Sequence, residues 1–87
     1  MYQLIYERSV YKDFGRIPAH ILMKIRDVIK NLKENPRPHG VEKLSGYSNR
    51  YRVRQGDYRI LYAIDDINKI ITVEFVKHRK DVYRNLN

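Results

Sequence analysis

The chain has 87 residues, with 18 lysines and arginines against 10 aspartates and glutamates, and therefore carries a formal net charge of +8. This length allows one compact domain over residues 1–87, and the absence of cysteine excludes a disulfide-stapled fold, a thiolate zinc site and a cysteine nucleophile. The basic composition favours an acidic partner, either a nucleic acid or an acidic protein.

The first half of the chain predicts one strand and two helices. Tyr2–Tyr6 is rich in β-forming residues and predicts a short strand. Ser9 is placed to cap a first helix over Val10–Arg16, because its hydroxyl can accept hydrogen bonds from the open N–H groups of the first turn. Apolar residues then recur at helical spacing, which predicts an amphipathic helix over residues 18–34 with Pro18 at its first position.

In the second half the hydrophobic period changes from 3.6 to 2, which is typical of strands. Residues 50–54 and 58–64 alternate on either side of a turn at Gln55–Asp57, and this pattern predicts a hairpin. Ile70–Lys77 predicts a further strand, and Arg79–Leu86 predicts one or two last helical turns. The fold class is therefore α+β: a short N-terminal strand, two helices, and an antiparallel meander of three or four strands with helices packed on one sheet face.

The same alternation places three arginines on the sheet face that points away from the helices, which we expect to be open. Arg52 and Arg54 are two residues apart on one strand, and Arg59 follows the turn on the neighbouring strand. Such residues often form only a solvated face, but here the face carries almost no acidic residue to pair with them. Because the planar guanidinium suits phosphate oxygens, we expect an anionic partner.

A second basic cluster, residues 77–80, lies at the end of the last predicted strand and is followed by Tyr83. His78 is expected near both the arginines and a phenol, and its ordinary pKa near ~6.5 allows proton transfer at neutral pH. The structural alternatives are a histidine with satisfied hydrogen bonds and a tyrosine that packs the last helix onto the sheet. His20 and His39 have no partner at a metal-ligand spacing, so we expect no metal and no cofactor.

The sequence contains no Gly-rich phosphate loop, nucleophile elbow or HExxH motif. RNA is then the economical substrate, because it brings its own nucleophile, the 2'-hydroxyl. A protein that acts on it needs only to align that hydroxyl with the scissile phosphate, neutralise the developing charge and move protons. We therefore expect a metal-independent reaction on RNA, with four further basic residues binding RNA: Lys43, Arg50, Lys77 and Lys80.

Three segments resemble the RelE/ParE superfamily of bacterial and archaeal toxins, and the RelE branch most closely: Lys43–Gly46, Tyr51–Tyr62 and Val76–Tyr83. The likeness covers nearly the whole chain in length and element order. It implies a toxin of a toxin-antitoxin pair, with a cognate antitoxin protein as partner in a hetero-oligomer. The RelE branch enters the ribosomal A site and cuts mRNA there, whereas the ParE branch inhibits DNA gyrase.

The resemblance also implies roles for single residues. Arg52, Arg54 and Arg59 would bind phosphate and stabilise the transition state. Arg79 would stabilise charge as well, and Tyr83 would stack on or orient the mRNA. The best-studied RelE pattern has lysines at the positions of Arg52 and Arg54. Because arginine stays protonated, the general base is open between His78 and Tyr83. The expected catalytic group is Arg52, Arg54, Arg59, His78, Arg79 and Tyr83.

The expected function is therefore a ribosome-dependent endoribonuclease that cleaves mRNA in the A site by attack of the 2'-hydroxyl on the scissile phosphate. The alternative is a ParE-like, non-enzymatic inhibitor of DNA gyrase on the same fold. The longest apolar run, Ile60–Ile64, is far shorter than the ~20 residues that span a bilayer. Charges interrupt the first sixteen residues, unlike a secretory signal, so we expect a cytoplasmic protein without a membrane partner.

Overall fold

The computed structural model describes the backbone of residues 1–86 and the side chains of residues 1–82. Within this range the chain forms three helices and five strands. In chain order these are β1 (Gln3–Tyr6), α1 (Arg8–Gly15), α2 (Ala19–Asn31), β2 (Glu42–Lys43), β3 (Arg50–Gln55), β4 (Tyr58–Asp65), β5 (Ile70–His78) and α3 (Arg79–Leu86).

The five strands form one sheet in the order β1-β5-β4-β3-β2. Strands β2 to β5 are an antiparallel meander, and β1 lies parallel to β5 at one edge. The hairpin between β3 and β4 turns at Gly56, whose φ of +58° lies in the left-handed region that glycine favours. The predicted α+β class is confirmed, and the two-residue strand β2 is an addition that the sequence pattern did not predict.

Helices α1 and α2 begin and end at slightly different residues from those predicted. Helix α1 begins at Arg8, so Ser9 lies inside its first turn and the prediction that Ser9 caps it is wrong. The reason is that Glu7 still continues β1, its N–H donating to the Val73 carbonyl at 2.9 Å. Helix α2 begins after Pro18 and ends at Asn31, where Leu32 bonds three residues back to Ile29 and the chain tightens into turns.

The core lies between the sheet and the helices α1 and α2. Tyr62 of β4 is completely buried there, and its hydroxyl donates a hydrogen bond of 2.6 Å to the carbonyl of Pro36. Burial raises the pKa of Tyr62 well above its usual value, so the hydroxyl remains a donor. The largest completely buried residues around it are Ile25, Ile29, Leu32, Ile60, Ile71, Val10, Val73 and Val76.

Helix α3 lies against the opposite face of the sheet, so the face predicted to be open is open only in part. The chain passes directly from β5 into α3, and the Arg79 N–H donates to the Asp57 carbonyl at 2.7 Å. Val82 of α3 and Leu61 of β4 are both buried, yet neither belongs to the main core cluster. Across residues 1–86, no helix is both long and apolar enough to cross a membrane.

Candidate functional site

The hairpin brings three arginines to one shallow cleft of about 50 Å³, where a fourth arginine joins them, and we call this site the arginine cleft. In the strand register Arg54 lies directly opposite Arg59, and Arg52 lies opposite Leu61, so these side chains share one face of the sheet. The first turn of α3 supplies the fourth arginine. The described lining consists of Arg52, Arg54, Arg59, Arg79 and Val82.

Arg52 and Arg54 share a single carboxylate, that of Glu42 on the edge strand β2. The Nη2 atom of Arg52 donates to Glu42 Oε2 at 3.1 Å, and Nη2 of Arg54 lies 3.3 Å from Oε1. The side chain of Arg52 is 20% exposed and that of Arg54 is 59% exposed. One anion therefore bridges two cations at the rim of the cleft.

Arg59 is held by the backbone. Its Nη1 atom donates to the carbonyls of Gly56 and Tyr58, each at 3.1 Å, which fixes the guanidinium beside the hairpin turn. Burial, followed by the positive charges of Arg54, Arg52 and Arg79, lowers the pKa of Arg59. The guanidinium still remains protonated at physiological pH, because the ordinary pKa of arginine is above 12. Arg59 is therefore a crowded cation.

Arg79 lies at the start of α3, on the other side of the hairpin turn. Its Nε is 3.8 Å from Asp57 Oδ1, and both side chains are largely exposed, so the pair is loose. Among the described side chains, four guanidinium groups at the cleft are accompanied by two carboxylates, Glu42 and Asp57, which leaves a net charge of +2. Such a cleft attracts an anion.

His78 does not join the arginines. It lies opposite Tyr58 in the register of β4 and β5, whereas Arg59 lies opposite Lys77, so His78 is on the other face of the sheet. Its ring contacts the ring of Tyr58 edge-on at 5.4 Å, and its Nδ1 accepts the N–H of Lys80 at 3.2 Å. His78 is therefore not in its predicted place beside the arginines, and the phenol that it contacts is Tyr58. The phenol of the prediction belongs to Tyr83, whose side chain lies outside the described residues.

Two of the residues expected to bind RNA are engaged in ion pairs away from the arginine cleft. Lys77 Nζ lies 2.6 Å from Oδ1 of the buried Asp13 in α1. Arg50 donates from Nε and Nη2 to the two oxygens of Glu74, at 2.7 and 3.0 Å. Hydrogen bonding to Glu74 raises the pKa of Arg50. Both cations therefore already have strong internal partners.

The remaining predicted residues lie at the margins of the site. Lys43 is exposed on β2, but it lies opposite Tyr51 and so on the sheet face away from the arginine cleft. Lys80 is exposed in the first turn of α3. The side chain of Tyr83 lies outside the described residues, and only its backbone position in α3 is known.

Two acidic residues at the site, Glu42 and Asp57, were missed in the sequence. Asp57 occupies the hairpin turn between the arginine-bearing strands, so its position alone indicated that it would lie near them. Glu42 gave no such signal. It lies ten residues before Arg52, beyond a loop, and its strand is too short to show a period.

Comparison with known proteins gives a consistent family. Residues 4–83 match the family of the ParE toxin of the type II toxin-antitoxin system, parDE. The putative toxin RelE1 of Methanocaldococcus jannaschii is 32% identical over 81 residues, covering 90% of both chains. The archaeal RelE-RelB complex from Pyrococcus horikoshii OT3 contains a chain with a TM-score of 0.80 and 28% identity, covering 90% of this chain and 94% of that one.

A second solved structure supports the same likeness. The RelB-RelE antitoxin-toxin complex from Methanococcus jannaschii contains a chain that superposes with a TM-score of 0.77 and is 28% identical. The match covers 95% of this chain and 99% of that chain. The similarity therefore spans the sheet and the helices on both of its faces.

Proposed function

The chain belongs to the ParE toxin family of type II toxin-antitoxin systems and is a toxin of the RelE type, and on this premise we propose that it cleaves ribosome-bound mRNA. The observation that carries the proposal is the arginine cleft, in which four guanidinium groups line one shallow site and, among the described side chains, are paired with only the two carboxylates of Glu42 and Asp57. Planar guanidinium groups recognise phosphate through paired hydrogen bonds, so an RNA backbone suits this site.

The proposed reaction uses the substrate's own nucleophile. The 2'-hydroxyl loses its proton and its oxygen forms a bond to phosphorus, while the bond from phosphorus to the 5'-oxygen breaks. The leaving 5'-oxygen takes up one proton from water, so the products are a 2',3'-cyclic phosphate and a 5'-hydroxyl. Negative charge grows on the phosphoryl oxygens in the transition state, and fixed cationic donors stabilise that charge. Arg59 suits this role best, because the carbonyls of Gly56 and Tyr58 hold its guanidinium in place before the substrate binds.

The protons need a separate carrier, because arginine does not give up its proton at physiological pH. His78 lies on the opposite face of the sheet from the arginine cleft. We therefore assign the proton of the 2'-hydroxyl to Tyr83, which follows the cleft residue Val82 in α3. A tyrosine hydroxyl is one of the side-chain groups that can carry a proton in general acid–base catalysis.

We also propose that the chain pairs with a cognate antitoxin, because the similar chains from Pyrococcus horikoshii and Methanococcus jannaschii occur in RelE-RelB complexes. A chain with a net charge of +8 suits an acidic partner segment. Cover over the arginine cleft would keep RNA out. Pairing and inhibition would then use the same charges.

One observation favours a second function, inhibition of DNA gyrase without catalysis. The matching family carries the ParE name, and the described side chains that line the arginine cleft include no group that titrates near neutral pH. Such a cleft can bind a phosphate backbone without cleaving it. The two functions differ in whether the transcript is cut.

The test combines two assays on the purified chain. Programmed ribosomes are incubated with the protein, and primer extension maps new mRNA ends. We expect ends within the translated frame for the wild-type chain and their loss in Arg59→Ala. Plasmid supercoiling by gyrase is measured in parallel and should be unaffected. Intact mRNA together with failed supercoiling would replace the nuclease by the gyrase inhibitor.

A further inference from the structure

Glu42 is bound by the arginines of the cleft in an incomplete way. Its two oxygens are divided between Arg52 at 3.1 Å and Arg54 at 3.3 Å, so neither arginine receives a two-point contact. The carboxylate itself is 45% exposed and lies on the two-residue edge strand β2. The pair of Glu42 with Arg54 joins two exposed side chains, and such pairs contribute little to stability.

Another pair on the same strand shows what a complete contact looks like. Arg50 is two residues before Arg52 in β3, and its Nε and Nη2 each donate to a different oxygen of Glu74, at 2.7 and 3.0 Å. The Glu74 side chain is only 19% exposed. Arg50 therefore makes a two-point contact with its carboxylate, whereas Arg52 and Arg54 each make only one contact with Glu42.

The unfilled half is visible at Arg52. Its Nε atom is buried and has no hydrogen-bond partner within the part of the chain that the structure describes. A buried donor without an acceptor is costly, particularly on a charged group. The cleft also remains crowded with cations, since Arg52, Arg54 and Arg79 all contribute to the lowered pKa of Arg59. Glu42 alone thus supplies less acceptor capacity than these arginines can use.

From these contacts we infer that Glu42 is an internal competitor, whose carboxylate occupies Arg52 and Arg54 until a phosphate group of the RNA backbone displaces it. This inference rests on the proposed phosphate site. Once Glu42 has left and the Arg52 side chain has turned its buried Nε outward, a phosphate could offer oxygens to Nε and Nη2 of Arg52 together, which Glu42 does not do. Displacement frees an exposed carboxylate into water, so its cost is small. Glu42 would then lower the affinity of the toxin for RNA that is not bound to a ribosome.

The experiment measures binding without cleavage. A fluorescent single-stranded 2'-O-methyl RNA, which lacks the nucleophile, is titrated with the full chain, and fluorescence anisotropy gives the Kd at several salt concentrations. We expect Glu42→Gln to tighten binding about 3- to 10-fold. We also expect the slope of log K against log salt to steepen by up to ~0.7, the change for one further contact to a single-stranded phosphate.

The matched control is Glu34→Gln, which changes the net charge by the same amount. Glu34 is exposed after α2 and forms no ion pair among the described residues. It should change the Kd less than two-fold, and both variants should keep the wild-type melting temperature. Weaker binding by Glu42→Gln would show that Glu42 positions the arginines. A change in Kd by Glu42→Gln equal to that by Glu34→Gln would also overturn the inference. So would a lack of measurable RNA binding by both the wild-type chain and Glu42→Gln.

Cleavage on programmed ribosomes is scored separately with the wild-type chain. If the transcript stays intact while Glu42→Gln binds RNA more tightly, the proposed nuclease activity is contradicted and the proposed competition by Glu42 is supported. If the transcript is cut while the Kd of Glu42→Gln equals that of the control, the competitor is wrong and the nuclease stands. The two failures therefore give different results.

Discussion

Arg59 combines two properties that the other arginines of the cleft do not share in the described structure. Its guanidinium is anchored by two backbone carbonyls, and three further arginines lower its pKa after burial does. A donor that is already fixed needs no reorganisation when charge develops on the phosphate. A free, flexible cation such as an exposed lysine would bind the same anion but stabilise the transition state less.

The first prediction at this scale is that Arg59→Ala lowers the rate of mRNA cleavage by about 10²- to 10³-fold, the usual effect of losing one transition-state donor. Its contacts are with turn carbonyls and not with the core, so the melting temperature should change little. Single-turnover cleavage on programmed ribosomes and a thermal melt provide the two measurements. If Arg59→Ala is folded and still cleaves mRNA at the wild-type rate, the role of Arg59 in the transition state would be falsified.

The second prediction separates His78 from Tyr83. His78 is on the face away from the arginines, so His78→Ala should retain the shape of the pH-rate profile and lower the rate less than ten-fold. Tyr83→Phe removes only the hydroxyl, and it should lower the rate by about 10²- to 10⁴-fold if that group carries the proton. Loss of the acid limb in His78→Ala, with a mild Tyr83→Phe, would reverse the assignment.

At the scale of whole elements, helix α1 completes the free edge of β5. Strand β1 pairs with β5 from Ile70 only as far as Val73, and beyond that point Asp13 takes over. Asp13 Oδ2 accepts the N–H of Val76 at 3.0 Å, while Oδ1 pairs with Lys77. A buried carboxylate thus replaces a neighbouring strand, and this explains why the strongly polar Asp13 lies on the buried side of α1.

The third prediction follows from this junction. Asp13→Ala leaves the Val76 N–H and the Lys77 ammonium without their partner, and it should lower the free energy of unfolding by about 3–5 kcal/mol. Urea unfolding followed by circular dichroism measures the loss. Asp27→Ala on the exposed side of α2 is the matched control and should stay within about 0.5 kcal/mol. Equal effects of the two variants would contradict the edge role of Asp13.

The fourth prediction concerns the stability of the fold in acid. It depends on Asp66, which lies in the turn between β4 and β5. Asp66 accepts hydrogen bonds from Arg37 at 2.8 Å and from the Tyr2 hydroxyl at 2.6 Å, and these lower the pKa of Asp66 to about 2. The unfolded value is near ~3.9, so the contribution to stability is complete above about pH 4 and is lost as the pH falls through about 2.

Melting temperatures of the wild-type chain and of Asp66→Asn, taken from about pH 6 down to about pH 2, measure this contribution, because that range includes both pKa values of Asp66. The variant should melt lower near neutral pH, and the two curves should converge as the solution becomes acidic. Parallel curves over the whole range would show that the Asp66 carboxylate contributes no pH-dependent stability.

The sequence predicted those features that a backbone period determines. Alternation in β3 and β4 placed Arg52, Arg54 and Arg59 on one face, and the structure places them there. The face of His78 could not be read in this way. It depends on the register of β5 against β4, which shifts at an irregularity between Leu61 and Tyr62, and no local pattern in β5 records that shift.

For the whole molecule, the sheet separates the main core from the arginine cleft, the proposed site of function. Helices α1 and α2 cover the face that holds the core, whereas the arginine cleft lies on the other face, beneath α3. Changes among the exposed arginines therefore leave the core intact. Val82 is the exception among the cleft residues, because it is 2% exposed and packs α3 down on this second face.

The last prediction belongs to the charge of the whole chain. A net charge of +8 should steer an acidic antitoxin segment toward the arginine cleft, so the association rate should fall at least ten-fold between low and high salt. Arg54 is exposed at the rim of that cleft, and Arg54→Glu should slow association further than Lys12→Glu, an equal charge reversal on the exposed side of α1. Stopped-flow fluorescence with the labelled cognate antitoxin measures each rate.

Since both variants change the net charge identically, a larger effect at Arg54 identifies the docking face, whereas equal effects would leave only general attraction. A rate that does not respond to salt would contradict electrostatic steering altogether.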